Sequence, residues 1–246
     1  TIKDKGAKVV DERFVLLSET NFRPVIKKII ASKADLIFNM VNGDSNVPFF
    51  RELRAAGIVP SKVPTISFSI SESELPQLEG VDMVGDYLGW SYFETVDRPQ
   101  NKVFVDSFKK KYGQYRGISD PMEAAYFGVH LWAQAVRAAG SDDVRAIRRA
   151  LQNQSYEAPS SLVRIEPSNN HTWKMFRMGK IVSPKRIEVV YSSEALLPPE
   201  PFPSTRTRAE WEQLLKYLYG RWGDSWVNKE QPVLIHFPGS TKHGGH

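Results

Sequence analysis

One stretch constrains the fold more than any other: Asp35 to Asn46, DLIFNMVNGDSN, together with the VPFFRELRAAG that follows it. Residues 36–41 form a short apolar run of the kind that lies buried on both faces of a parallel sheet. The run breaks at Asn42, Gly43, Asp44 and Ser45, and Val47, Phe50, Leu53 and Arg54 then recur at helical spacing up to Gly57. A strand, a polar turn and a helix in that order put the turn at the carboxyl end of the strand, where open α/β sheets hold ligands. The turn offers an amide, a carboxylate, a hydroxyl and the free N–H groups of a helix start, and no obvious nucleophile. It reads as a binding edge. Asp44 or Ser45 taken alone reads equally well as a plain helix N-cap.

The rest of the front half repeats the unit. Val9, Val10 and residues 14–17 predict a first strand, and Thr20 or Asn21 caps a helix with Phe22, Val25, Ile26, Ile29 and Ile30 on one stripe. Residues 63–68 predict another strand, whose polar end carries Ser67, Ser69 and Ser71. Residues 83–93 predict a longer extended segment ending in Gly89, Trp90, Ser91, Tyr92 and Phe93. This β-α alternation predicts a parallel sheet covered by helices. Aromatics such as Trp90 and Tyr92 at a strand end wall a small pocket or simply fill a core.

From 101 to 154 the rhythm becomes helical. Phe104, Phe108 and Tyr112 share one stripe. Asp120, Pro121 and Glu123 mark a helix start, with Met122, Ala125, Tyr126, Val129, Trp132, Ala133 and Val136 as its expected buried face. Residues 161–178 predict a hairpin turning at Ser168, Asn169 and Asn170, and residues 187–191 a further strand. The proline-rich stretch 198–203 excludes a regular element. Thr207 and Glu210 predict a capping box for a last helix bearing Trp211, Leu214, Leu215, Leu218 and Trp222, and the tail beyond 228 is expected to be flexible.

Composition removes several function classes. With 246 residues, 41% hydrophobic and 25% charged, the chain is an ordinary globular sequence with room for a large core. No apolar run reaches the roughly 20 residues that span a bilayer, so no transmembrane helix is expected. The net charge of +5 is spread over amphipathic helices, without the basic, aromatic-interleaved stripe of a nucleic-acid binder. The absence of cysteine excludes disulfides, thiolate nucleophiles and cysteine metal sites. No phosphate loop, dinucleotide fingerprint, nucleophile elbow or zinc-protease motif is present. Among the five histidines, His130 reads as a packed helix residue and His171 as an exposed turn residue. The positive signals all point to binding, with no catalytic residue, metal or cofactor expected.

The stretches FNMVNGDSNVPFFRELRAAGI, VPTISFSISESEL, GWSYFETVDRPQNKVFVDSFKKKYG, SDPMEAAYFGVHLWAQAVRAAG, VRIEPSNNHTWKMFRMGKI and RAEWEQLLKYLYGRWG together resemble the solute-binding proteins of ABC transporters for urea and short-chain amides, within the type I periplasmic binding proteins. The similarity runs from about Gly6 to Val227, and the GDSN and DPMEAAY stretches favour the urea and amide branch over the amino-acid branch.

The resemblance implies an α/β fold of two lobes with parallel sheets, an extracytoplasmic location, and a small ligand handed to a membrane permease. It implies a division into 1–93 (second-lobe unit and crossover), 94–160 (helical part of the first lobe), 161–227 (hairpin, crossover and C-terminal helix) and 228–246 (tail), with the first lobe incomplete. The ligand-contact positions carried over are Asn42, Gly43, Asp44, Ser45, Ser67, Ser69, Ser71, Trp90 and Asp120. Apolar faces on the first-lobe helices, including Phe104, Phe108, Tyr126, Val129 and Trp132, are expected to lack part of their cover. Two other classes stay open: a sensory module of the same fold that signals to a regulatory partner, and an amidase-like enzyme, for which no nucleophile constellation is visible.

Overall fold

The computed structural model describes residues 6–221 and 223–226, with the side chain of Arg221 outside the description. The described residues fall into two compact units, divided between Pro199 and Glu200. The boundary falls in the proline-rich connection, whose fixed φ angles and missing N–H donors keep it out of helix and sheet.

The larger unit opens with helix α1 (Arg23–Ser32), strand β1 (Ile37–Asn39), a 3₁₀ turn at Gly43–Ser45 and helix α2 (Asn46–Ala55). Strand β2 (Thr65–Ser67), a 3₁₀ turn at Leu75–Leu78 and strand β3 (Tyr87–Trp90) follow. β1, β2 and β3 pair in parallel. The sheet is completed from far along the chain by β7 (Arg177–Ser183) and β8 (Arg186–Ser192), both antiparallel, in the order β1-β2-β3-β7-β8. Between them lie helices α3 (Pro99–Tyr112), α4 (Asp120–Ala139) and α5 (Val144–Leu151), and a second antiparallel sheet of β4 (Ser155–Glu157), β5 (Leu162–Ile165) and β6 (Thr172–Trp173).

The sheet core joins Phe22 and Ile26 at α1, Phe49, Phe50 and Leu53 of α2, Leu88 of β3, and Ile181 and Ile187 of β7 and β8. Full burial of side chains such as Phe50 and Leu53 contributes about 1.5–3 kcal/mol each. Close approach at β7 requires glycine: a Cβ on Gly179 would lie 2.6 Å from the Ile187 side chain and 2.8 Å from the Phe93 ring. Arg54 of α2 anchors the amino end of the sheet, pairing with buried Asp86, which also accepts the Thr65 N–H at 2.8 Å. A separate cluster, Phe127 and Leu131 of α4 with Ala158, Val163 and Ile165, seats α4 on the second sheet.

Several expectations require correction. Residues 9–17 form no strand: Phe14, Leu16 and Leu17 are exposed, and no neighbouring strand offers them a ladder. Helix α1 starts one residue beyond the expected caps, with Phe22 at the N-cap and no side-chain cap bond. The extended segment expected over 83–93 is a strand only at Tyr87–Trp90. The buried face of α4 is Glu123, Phe127, Leu131 and Ala135, whereas Tyr126, Val129 and Trp132 are 38%, 65% and 55% exposed. The expected 168–170 turn does join a hairpin, β5–β6, and the Thr207–Glu210 capping box does form at the start of α6 (Arg208–Arg221). No helix of the described residues is long and apolar enough to cross a membrane. Trp222 and the tail from 228 lie outside the described residues.

Candidate functional site

β1 ends at Asn39, and the chain then turns through Asn42, Gly43 and Asp44, all exposed. Gly43 has φ +65°, a left-handed conformation that glycine adopts without a Cβ penalty. Neither the Asn42 nor the Ser45 side chain caps the helices that begin here, and the Asp44 carboxylate has no hydrogen bond or ion pair among the described residues. Ser45 is buried, and its hydroxyl has no hydrogen-bond partner among the described residues.

What holds the turn is a pair of side-chain amides, Asn39 and Asn46. Asn39 Nδ2 donates to Asn46 Oδ1 at 2.9 Å and to Ser67 Oγ at 3.1 Å, while Asn39 Oδ1 accepts the Val41 N–H at 3.0 Å. Asn46 Nδ2 donates to the Val41 carbonyl at 2.7 Å. Both asparagines are buried, and together they use the hydrogen-bonding capacity that low-dielectric surroundings make costly to leave unmet. Ser67 thus serves as a buried acceptor joining β1 to β2.

Past β2, the Ser69 hydroxyl is buried without a partner, and Ser71 Oγ and N–H both reach Glu74 Oε2, at 2.7 and 2.8 Å. Trp90 Nε1 donates to the Ile70 carbonyl at 2.6 Å, tying the end of β3 to that segment. The carboxyl ends of β1, β2 and β3 are therefore linked side by side.

The last expected residue belongs to a ring of polar groups where β3 meets α4. Asp120 Oδ2 accepts the Ser91 N–H at 2.9 Å, and Lys174 Nζ lies 3.2 Å from Asp120 Oδ1 and 3.8 Å from Glu123 Oε2. Glu123 Oε1 accepts the Ser160 hydroxyl at 2.7 Å and its N–H at 3.1 Å. Arg177 closes the ring, donating to the Ser160 carbonyl at 2.8 Å and to the Ser91 carbonyl. Burial raises the Glu123 carboxyl above its ordinary range, against the pull of Lys174 and Ser160. Of this ring only Asp120 was expected from sequence. In sequence Glu123 is a helix-start signal, and the ring partners it contacts, Ser160 and Lys174, come from distant segments of the chain.

A groove of about 390 Å³ opens beside this edge, lined by Ser73, Glu74, Tyr115, Arg116, Gly117 and Met122 among others. The hydroxyls of Ser45, Ser67, Ser69 and Ser71 lie beneath the surface, and what the edge exposes is the Asn42 amide, the Gly43 backbone and the Asp44 carboxylate. These are groups that recognise a small polar molecule; no cluster of His, Asp and Glu fit to hold a metal ion occurs among the described residues.

A family model described as periplasmic binding protein domain matches residues 1–208. Among curated proteins, the chain is 33% identical over 142 residues to a Geobacillus stearothermophilus protein named limonene hydroxylase, covering 57% of this chain and 26% of that one. It is 27% identical over 173 residues to Leu/Ile/Val-binding protein homolog 6 of Brucella melitensis biotype 1, covering 68% of this chain and 44% of that one. Among solved structures, a solute-binding protein of an ABC transporter from R. palustris in complex with 4-hydroxybenzoate superposes with a TM-score of 0.74 at 21% identity, over 83% of this chain and 56% of that one. The chain thus spans between a quarter and a half of these curated relatives, and at such low identity the structural likeness speaks for the fold.

Proposed function

Because this chain belongs to the periplasmic binding protein domain family, we propose that it is the binding part of an extracytoplasmic solute-binding protein that delivers urea or a short-chain amide to an ABC permease. The observation that carries the reading is the exposed Asn42-Gly43-Asp44 turn at the carboxyl end of β1, with no side chain spent on helix capping. In this reading the Asp44 carboxylate accepts the N–H groups of a urea or amide, and the turn's own N–H and amide groups donate to its carbonyl. Recognition rests on hydrogen bonds made as water leaves the edge, and an analogue that leaves these groups unpaired is rejected.

The test is two-dimensional NMR of the chain with urea, acetamide, leucine and 4-hydroxybenzoate added in turn to millimolar concentration. The reading expects saturable shifts of the Asn42 to Ser45 amides with urea or acetamide and none with the other two. Saturable binding of leucine or 4-hydroxybenzoate at that turn, with urea and acetamide silent, overturns it.

A further inference from the structure

Glu72 has no role in the binding reading, yet it is the point at which three segments meet. Its Oε1 accepts the Glu94 N–H at 2.8 Å, just past β3. Its Oε2 is buried with no hydrogen-bond partner among the described residues. Its backbone is pressed by the turn that leads into α4: a Cβ on Gly117 would lie 2.5 Å from the Glu72 carbonyl oxygen. Next to Gly117, the Ile118 N–H donates to the Glu94 carboxylate at 3.0 Å, and that carboxylate is paired with Lys109 of α3. The same turn supplies Tyr115, Arg116 and Gly117 to one wall of the 390 Å³ groove, and Ser73 and Glu74 form the other.

The groups facing Glu72 favour its neutral form. Glu94 and Glu74 are both carboxylates, Glu74 already holding Ser71 and Ser73. The Tyr92 hydroxyl is turned away, donating to Asn101 Oδ1 at 3.0 Å. Lys109 is committed to Glu94, and Arg116 is exposed. Ionising a carboxyl here places a charge out of water beside two of its own sign, with one oxygen unpaired.

We propose that Glu72 is a proton-operated latch: protonated, it stays buried and lets the 115–118 turn dock against the β2 end; ionised, it draws water in and releases the turn, widening the groove. Burial, reinforced by Glu94 and Glu74, pushes its carboxyl up to about 7 from an ordinary 4.5, although N–H donors pull the other way. With the turn open the carboxyl returns to its ordinary range. Docking is therefore strongest below about 4.5 and is lost as the pH rises to about 7, levelling above it.

The test needs no ligand. Amide hydrogen exchange at Ile118 is measured on the full chain at pH 5 and pH 7.5, with each rate divided by the intrinsic rate at that pH. The latch predicts that protection falls about tenfold or more across this window in the wild type, and stays level in Glu72→Gln, which is neutral at both. Equal pH dependence in the two proteins overturns it. Independently, a carbon-13 titration of the Glu72 carboxyl in the wild type is expected to give a midpoint near 7, and a midpoint in the ordinary glutamate range overturns the proposal.

Discussion

Asn39 and Ser67 stand opposite each other in the β1–β2 register, and the Asn39 amide donates to the Ser67 hydroxyl at 3.1 Å while also holding Asn46 at 2.9 Å. Asn39→Leu removes the donor to Asn46 and Ser67 and the acceptor of the Val41 N–H. Each abandoned group costs about 1–3 kcal/mol, so the variant is expected to lose at least that much stability in guanidinium denaturation. A midpoint equal to the wild type would show that water replaces the amide.

The exposed carboxylate beside this pair is a test of ligand chemistry rather than folding. In a longer relative with the same GDSN turn, the change equivalent to Asp44→Ala is expected to weaken urea or amide binding by more than about tenfold, or 1.4 kcal/mol. The melting temperature should hardly move, because the Asp44 side chain makes no hydrogen bond or ion pair among the described residues. Unchanged affinity by calorimetry would reduce Asp44 to a surface residue.

Acid should stabilise this protein between neutrality and about pH 5. Burial pushes Glu72 up to about 7 and Asp86 up to about 6, the latter against Arg54 and the Thr65 N–H. The native state then holds protons that the unfolded chain has already released. That contribution is complete below the ordinary carboxyl range and drains away as pH rises through 6 and 7. A gain of about 1–2 kcal/mol on going from pH 7.5 to 5 raises the melting temperature by a few degrees in a chain of this size. Scanning calorimetry that finds a higher melting temperature at pH 7.5 than at pH 5 contradicts this.

Arg177 ties the end of β3 to Ser160 from a buried position. Arg177→Met leaves the Ser91 and Ser160 carbonyls without their donor, at a cost of about 1–3 kcal/mol for each abandoned group. Chemical denaturation measures it directly, and a loss below 1 kcal/mol would mean the ring is not a structural tie.

Tyr126, Val129 and Trp132 form an exposed stripe one turn apart on α4. Apolar surface of this kind drives association. The chain is expected to sediment with a concentration-dependent mass, and Val129→Glu combined with Trp132→Glu to suppress it. A wild-type monomer at every concentration would contradict the expectation.

The β1–turn–α2 unit was legible because its signals are local: an apolar run, a polar break, then a helical stripe. The misreadings share a different origin. Val9 to Leu17 has strand-like residues and no partner strand, and strand formation depends on neighbours more than on propensity. On α4, hydrophobic periodicity excluded Glu123 from the buried face, so the face was placed around Tyr126 and Val129 instead of Phe127 and Leu131. Burial of Glu123 depends on Ser160, Lys174 and Arg177, which no local pattern connects to it. The Asn39–Asn46 pair has no local signature, because Asn39 lies within the apolar run 36–41 and Asn46 beyond the turn, and only the fold brings their amides together.

The pairing of Tyr87 with Lys180 also has a consequence for synthesis of the chain. Until residues 177–183 pair with it, β3 is an open sheet edge with Leu88 and Trp90 on it. Contacts this distant in sequence close slowly, and an unpaired edge is a template for another molecule's strand. The nascent protein is most vulnerable in that interval, and a chaperone that shields β3 would raise the folded yield without changing the stability of the finished molecule.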